Sequence, residues 1–284
     1  MGDWTDYRTV ARRGKAEFEG NLDAREIRVG DAVFGGAVPS VIAGPCAVES
    51  RNQTLSIARS VKEAGADCLR GGAFKPRTSP YSFQGLGREA LEILAEARDE
   101  TGLPVVTEVM DVRLLDLVCE YADIIQIGSR NMQNFPLLIE AGRTGKPVLL
   151  KRGMSSTIDE WLCAAEYLAL GGNLDIILCE RGIRCSVSRD YARNTLDLNV
   201  LLPARESTIL PILADPSHST GRADAVPYVS CAAVAAGAQG LIIEVIAEDT
   251  RVEDVLCDGK QSIRPSVLAE IVAEVKGVAH TPAI

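Results

Sequence analysis

Eight times along this chain a short apolar run gives way to a longer segment of helical character, and that alternation constrains the fold more than any other feature. The runs are SVIAGPC (40–46), CLRGGAF (68–74), PVVTEV (104–109), IIQIGS (124–129), PVLLKRG (147–153), DIILCERG (175–182), PILADPSH (211–218) and GLIIEV (240–245). Between them lie segments such as NQTLSIARSVKEAGA, GREALEILAEARDETG and IDEWLCAAEYLALGG, several of which close on glycine. The runs are continuously apolar rather than alternating, as expected of strands covered on both faces in a parallel sheet. Eight strand–helix units in about 245 residues match the α/β class and, within it, a closed (β/α)8 or TIM barrel, in count and in length. An open doubly wound sheet is the alternative, but no glycine-rich dinucleotide fingerprint follows the first strand. Residues 1–39 stand apart as a short N-terminal extension, in which EIRVGDAVFGG reads as a β-hairpin capping the bottom of the barrel. The barrel itself spans 40–276, and 277–284 form a tail.

A barrel of this kind places its chemistry at the C-terminal ends of its strands. Those ends carry Cys46, then Arg70 followed by Lys75 and Arg77, Glu108, Ser129 followed by Arg130, Lys151 with Arg152, Glu180 with Arg181, Asp215 with His218, and Glu244. Two kinds of chemistry separate out. Arg70, Lys75, Arg77, Arg130, Lys151 and Arg181 form a cationic cluster; six converging cations repel one another and call for an anionic ligand, phosphate or carboxylate. Arg143, Arg152 and Arg184 are expected to be structural. Cys46, His218, Glu244 and, in the loop after the last strand, Asp258 make a mixed thiolate, imidazole and carboxylate set that suits Mn, Fe, Co or Zn better than Mg or Ca. Spacing alone does not separate this set from a core cysteine and a hydrogen-bonded histidine. The second histidine, His280, lies in the tail.

Composition removes several function classes. The net charge of −9 argues against a nucleic-acid partner. No apolar run approaches the roughly 20 residues that cross a bilayer, and the first fifteen residues hold no signal-type apolar segment, so a cytoplasmic protein without a membrane partner is expected. In that setting the eight cysteines are expected to be reduced thiols.

The segments AGPCAVES, LRGGAFKPRTSPYSFQGLG, QIGSRNMQN, LLKRGM, CERGIR, RNTLDLN, DPSHSTGR and DGKQS occur in this order. Together they resemble the 3-deoxy-D-arabino-heptulosonate 7-phosphate (DAHP) synthases, type I beta branch, from about residue 38 to 275. The resemblance implies a transferase that condenses phosphoenolpyruvate with erythrose 4-phosphate and releases phosphate, the first step of the shikimate route to aromatic amino acids. It implies a divalent metal on Cys46, His218, Glu244 and Asp258, and a homo-oligomer, dimer or tetramer. Arg70, Lys75, Arg130, Lys151 and Arg181 match the residues that hold phosphoenolpyruvate, with Ser129 beside them. Arg77 and Thr78 match those that grip the sugar phosphate, and Asp215 one near its aldehyde. The implied catalytic group is Lys75, Lys151, Asp215 and His218, with either lysine as proton carrier.

Two rim stretches depart from the family pattern: VIAEDTRVEDVLCDG after Glu244, and CSVSRDYA after ERGIR. Both bear on the sugar end, so a paralogue using another aldose phosphate is the alternative reading. A scaffold without activity and a phosphate-binding lyase are the readings from other classes. Branch members often carry a ferredoxin-like or chorismate mutase domain. The 39 leading residues leave no room for either, and insensitivity to tyrosine, phenylalanine and chorismate is expected.

Overall fold

The computed structural model describes residues 25–184 and 191–277. The tail from 278, His280, Cys185 and most of CSVSRDYA lie outside the described residues. The barrel strands are β3 (Ser40–Gly44), β4 (Cys68–Arg70), β5 (Val105–Glu108), β6 (Ile124–Ile127), β7 (Val148–Lys151), β8 (Ile176–Glu180), β9 (Ile212–Ala214) and β10 (Gly240–Glu244). All neighbours are parallel, and β10 closes on β3 over five residue pairs, from Gly240 opposite Ser40 to Glu244 opposite Gly44. The (β/α)8 expectation therefore holds, and the open-sheet alternative does not.

The crossovers are α1 (Arg51–Glu63), α2 (Arg88–Thr101), α3 (Leu115–Tyr121), α4 (Phe135–Arg143), α5 (Ile158–Leu170), α6 (Leu201–Ser207), the short α7 (Pro216–Thr220) with α8 (Val226–Ala235), and α9 (Pro265–Gly277). Local chemistry sets their ends. Thr157 and Glu160 form a reciprocal capping box that starts α5, and Gly102, in the left-handed region at φ 72°, ends α2. Among the described residues no helix is long and apolar enough to cross a membrane.

Strand residues alternate between two cores because a strand has period two. Outward residues such as Val41, Leu69, Val105, Ile125, Leu150, Leu178, Ile212 and Ile243 pack under the helices. Inward residues Ile42, Cys68, Val106, Ile124, Leu149, Ile177, Leu213 and Ile242 fill the barrel.

An antiparallel hairpin, β1 (Ile27–Val29) and β2 (Ala32–Phe34), adds Ile27, Ala32 and Phe34 to that inner cluster. Its turn residue Gly30 approaches Pro104, just before β5, and Gly35 approaches Pro211, just before β9. The hairpin thus seals the N-terminal end, as expected, and leaves the other end for chemistry.

Candidate active site

Two residues beyond the apolar inner layer, the same period brings a second inward layer to the C-terminal rim. It comprises Gly44, Arg70, Glu108, Gln126, Lys151, Cys179, Asp215 and Glu244. Parity also sorts the neighbours: Arg152 and Glu180 fall on the outward side, where they pair at 2.9 Å, with Asp197 joining at 3.2 Å. Burial nonetheless pushes the Glu180 carboxyl up. Arg152 is structural, as expected, and so is Arg143, which pairs with Glu140 on the surface.

A cavity of about 1260 Å³ opens above the second layer, lined by Arg70, Lys75, Arg77, Thr78, Ser129, Arg130, Lys151, Arg181, His218 and Asp258. Every expected substrate-binding residue except Asp215 lines it, and Asp215 lies fully buried beneath, bonded to Lys151 and His218. Arg184, expected to be structural, lines it too.

The cations are less alone than the sequence implied. Arg70 donates to Glu244 at 2.9 Å, Lys75 reaches the Cys46 carbonyl at 2.9 Å and its Sγ at 3.2 Å, Arg77 donates to the Cys257 Sγ at 3.0 Å, and Lys151 pairs with Asp215. Carboxylates of the same rim therefore neutralise Arg70 and Lys151, while Lys75 and Arg77 hydrogen-bond to sulfur and carbonyl groups. Arg130 and Arg181 differ, since among the described residues neither hydrogen-bonds to an acid or a thiol. Arg181 is buried, bonds only its neighbour's carbonyl, at 3.3 Å, among the described residues, and is lowered in pKa by that burial. The buried Ser129 hydroxyl has no partner among the described residues either. Unmatched charge and an orphaned hydroxyl on one wall are what an anion would satisfy.

The expected metal donors converge on the opposite side. His218 Nε2 lies 3.5 Å from Glu244 Oε1 and 3.9 Å from Asp258 Oδ2, and Cys46 Sγ lies 3.6 Å from that same Oδ2. Asp215 accepts from His218 Nδ1 at 2.8 Å, which assigns the proton to Nδ1 and turns the Nε2 lone pair toward the two carboxylates. Burial lowers the His218 pKa despite those carboxylates, so the ring is neutral. A neutral nitrogen lone pair facing two carboxylate oxygens is unfavourable unless a cation lies between them. The residues present therefore fit a divalent metal. Burial likewise pushes the Cys46 thiol up, so its proton leaves only when a cation replaces it.

Backbone geometry serves the same end. Asp258 is the one non-glycine with positive φ among the described residues, at 56°, a conformation aspartate tolerates and one that tends to mark functional sites. A Cβ on Gly72 would stand 2.7 Å from Lys75 Cδ and 2.8 Å from the Cys46 carbonyl, so only glycine lets Lys75 fold back onto Cys46.

Sequence reasoning missed three participants. Arg193 binds Asp258 and Gln261, both at 2.9 Å; Gln261 also donates to Glu244; and Cys257 touches Cys46. Arg193 and Gln261 lie inside the segments RNTLDLN and DGKQS, but only the fold shows that they buttress the metal donors.

The rim thus defines a class: (β/α)8 barrels whose mouth sets a cation-rich pocket against a mixed sulfur, nitrogen and oxygen donor set that could hold a metal. A model of the DAHP synthetase I family matches residues 21–281, and the chain belongs to that family. It is 50% identical to the phospho-2-dehydro-3-deoxyheptonate aldolase of Thermotoga maritima over 96% of this chain and 78% of that protein. It is 35% identical to the 2-dehydro-3-deoxyphosphooctonate aldolase of Syntrophotalea carbinolica, over 84% and 90% of the two chains. The crystal structure of the Thermotoga maritima DAHP synthase superposes with a TM-score of 0.85 at 52% identity, covering 89% of this chain and 73% of that one. A truncated form of the Thermotoga maritima synthase gives 0.82 at 49%, covering 89% and 91%.

Proposed function

We infer that this chain is a DAHP synthase, a transferase that joins C3 of phosphoenolpyruvate to the aldehyde carbon of erythrose 4-phosphate and releases phosphate. The observation that carries this reading is that Arg130 and Arg181, without a hydrogen-bonded acidic partner among the described residues, line the same cavity as His218 and Asp258, and that Asp258 lies in one donor group with Cys46 and in another with His218 and Glu244. We assign phosphoenolpyruvate to the Arg70, Lys75, Ser129, Arg130, Lys151 and Arg181 wall, and the sugar phosphate to Arg77 and Thr78.

When bound, a divalent ion of the Mn, Fe, Co or Zn type supplies Lewis acidity to the aldehyde. The remaining work falls to the chain. Arg130 and Arg181 hold the phosphate in its ground state and stabilise it as it departs. C3 forms the new carbon–carbon bond, water adds at C2, and the C2–O bond to phosphate breaks. Of that water's two protons, one passes to the new hydroxyl and the other leaves with the phosphate as C2 becomes a carbonyl.

Lys151 suits this proton transfer better than Lys75. It pairs with Asp215, which also accepts from His218, making a continuous path toward the metal donors, whereas Lys75 is held on Cys46. Burial alone would raise Asp215, but His218 and Lys151 hold it well below the usual carboxylate range, so it remains an acceptor. Asp215 also accepts from the His218 backbone N–H at 2.9 Å and caps α7, which fixes the pair's geometry. Phosphate release measured with phosphoenolpyruvate and a panel of aldose phosphates tests the reading. Erythrose 4-phosphate is expected to react fastest, and faster release with arabinose 5-phosphate would overturn the sugar assignment.

A further inference from the structure

We propose that Cys257 is a second sulfur ligand of the metal, making the centre a two-thiolate site. The inference rests on the proposed metal site and deepens it. Cys257 Sγ lies 2.9 Å from Cys46 Sγ, and both cysteines are buried. The two sulfurs form with Asp258 one compact donor group, and Asp258 belongs equally to the group with His218 and Glu244. Asp258 therefore links five donors into one centre rather than two.

Cys257 is held there by its backbone N–H, which donates to Glu49 at 3.0 Å, and by the turn at Asp258 that follows it. Each sulfur also faces its own cation, Lys75 at 3.2 Å from Cys46 and Arg77 at 3.0 Å from Cys257. Two thiolates and two carboxylates overcompensate a divalent ion, and with Arg70 on Glu244 and Arg193 on Asp258 each of these four donors has a cation beside it to offset the excess. Two thiolates on one ion, each about 2.3 Å from it, stand roughly 3.8 Å apart. Cys46 and Cys257 would have to part by about 0.9 Å to hold an ion together.

A second thiolate favours softer ions, Zn and Co over Mn. Because Arg77 touches Cys257, the sulfur also ties the metal centre to the arm assigned to the sugar phosphate.

The test uses the full chain, reduced, stripped of metal and titrated anaerobically with Co(II). Wild type is expected to show near-ultraviolet sulfur-to-cobalt absorption of two thiolates, and Cys257→Ser and Cys46→Ser about half of it each. The preference for Zn over Mn, measured by competition, is expected to fall at least about tenfold in Cys257→Ser, the lower end of losses seen when even an outer partner of a metal ligand is removed. Cys257→Ala serves if the serine variant does not fold.

One-thiolate absorption in wild type, or absorption unchanged by the Cys257 substitutions, overturns the proposal. Phosphate release on the same preparation separates the two readings: turnover with one-thiolate absorption sinks only this inference, whereas wild type that binds no Co(II) sinks the metal site as well.

Discussion

Arg70 and Glu244, 174 positions apart in sequence, form a buried ion pair at 2.9 Å that joins the cationic wall to the proposed metal donors. Removing one member leaves a buried charge unmatched, at a cost of about 3–5 kcal/mol. Arg70→Ala is therefore expected to lower the urea-unfolding free energy of the metal-free protein by that amount. Saturating metal, which neutralises Glu244, is expected to shrink the loss.

Asp258 supplies a pH signature. Burial alone would raise its carboxyl, but Arg193 and His218 bring it down from 3.8 to about 2. A depressed carboxylate stabilises the fold fully above its unfolded value and loses that contribution as pH falls through the folded one. Chelated protein should thus lose about 2 kcal/mol from this group between pH 4 and pH 2. Asp258→Asn should flatten that part of the stability curve in urea titrations at each pH.

Substrate binding should divide between the walls. Arg181→Ala is expected to raise the KM for phosphoenolpyruvate about ten- to a hundred-fold, the loss of a charge-assisted contact of about 1.5–3 kcal/mol. Arg77→Ala should raise the KM for the aldose phosphate by a similar factor. Steady-state kinetics with each substrate varied in turn check this, and equal losses for both substrates in both variants would refute the division.

Lys151→Met should cut kcat by about 10²- to 10⁴-fold, as loss of an acid–base group does. The pH dependence of kcat should change with it. A simple loss of binding would leave kcat intact and appear in KM alone.

Gly44→Ala should be poorly tolerated. Gly44 sits at φ 154°, and a Cβ there would lie 2.1 Å from the Arg70 carbonyl, backbone that cannot move without displacing β4. A stability loss of at least about 1–3 kcal/mol is expected from thermal or urea unfolding, as for other overpacked sites.

Much of this protein is legible in the order of its residues. Continuous apolar runs of strand length announce a sheet covered on both faces, and counting them to eight closes it. Period two, counted from Ile42, Cys68, Leu149, Leu213 and Ile242, then carries Arg70, Lys151, Asp215 and Glu244 to the inner rim and turns Arg152 and Glu180 outward. These features are local, because strand geometry is set within a few residues. What only the tertiary structure decided is which charges meet. No local rule pairs Arg70 with Glu244, leaves Arg181 without an ion-paired acid among the described residues, sets Arg193 on Asp258, or brings Cys257 against Cys46 across 211 positions. Those contacts depend on how a closed barrel folds its rim loops over one mouth, and electrostatic energy depends on distance in space rather than separation along the chain.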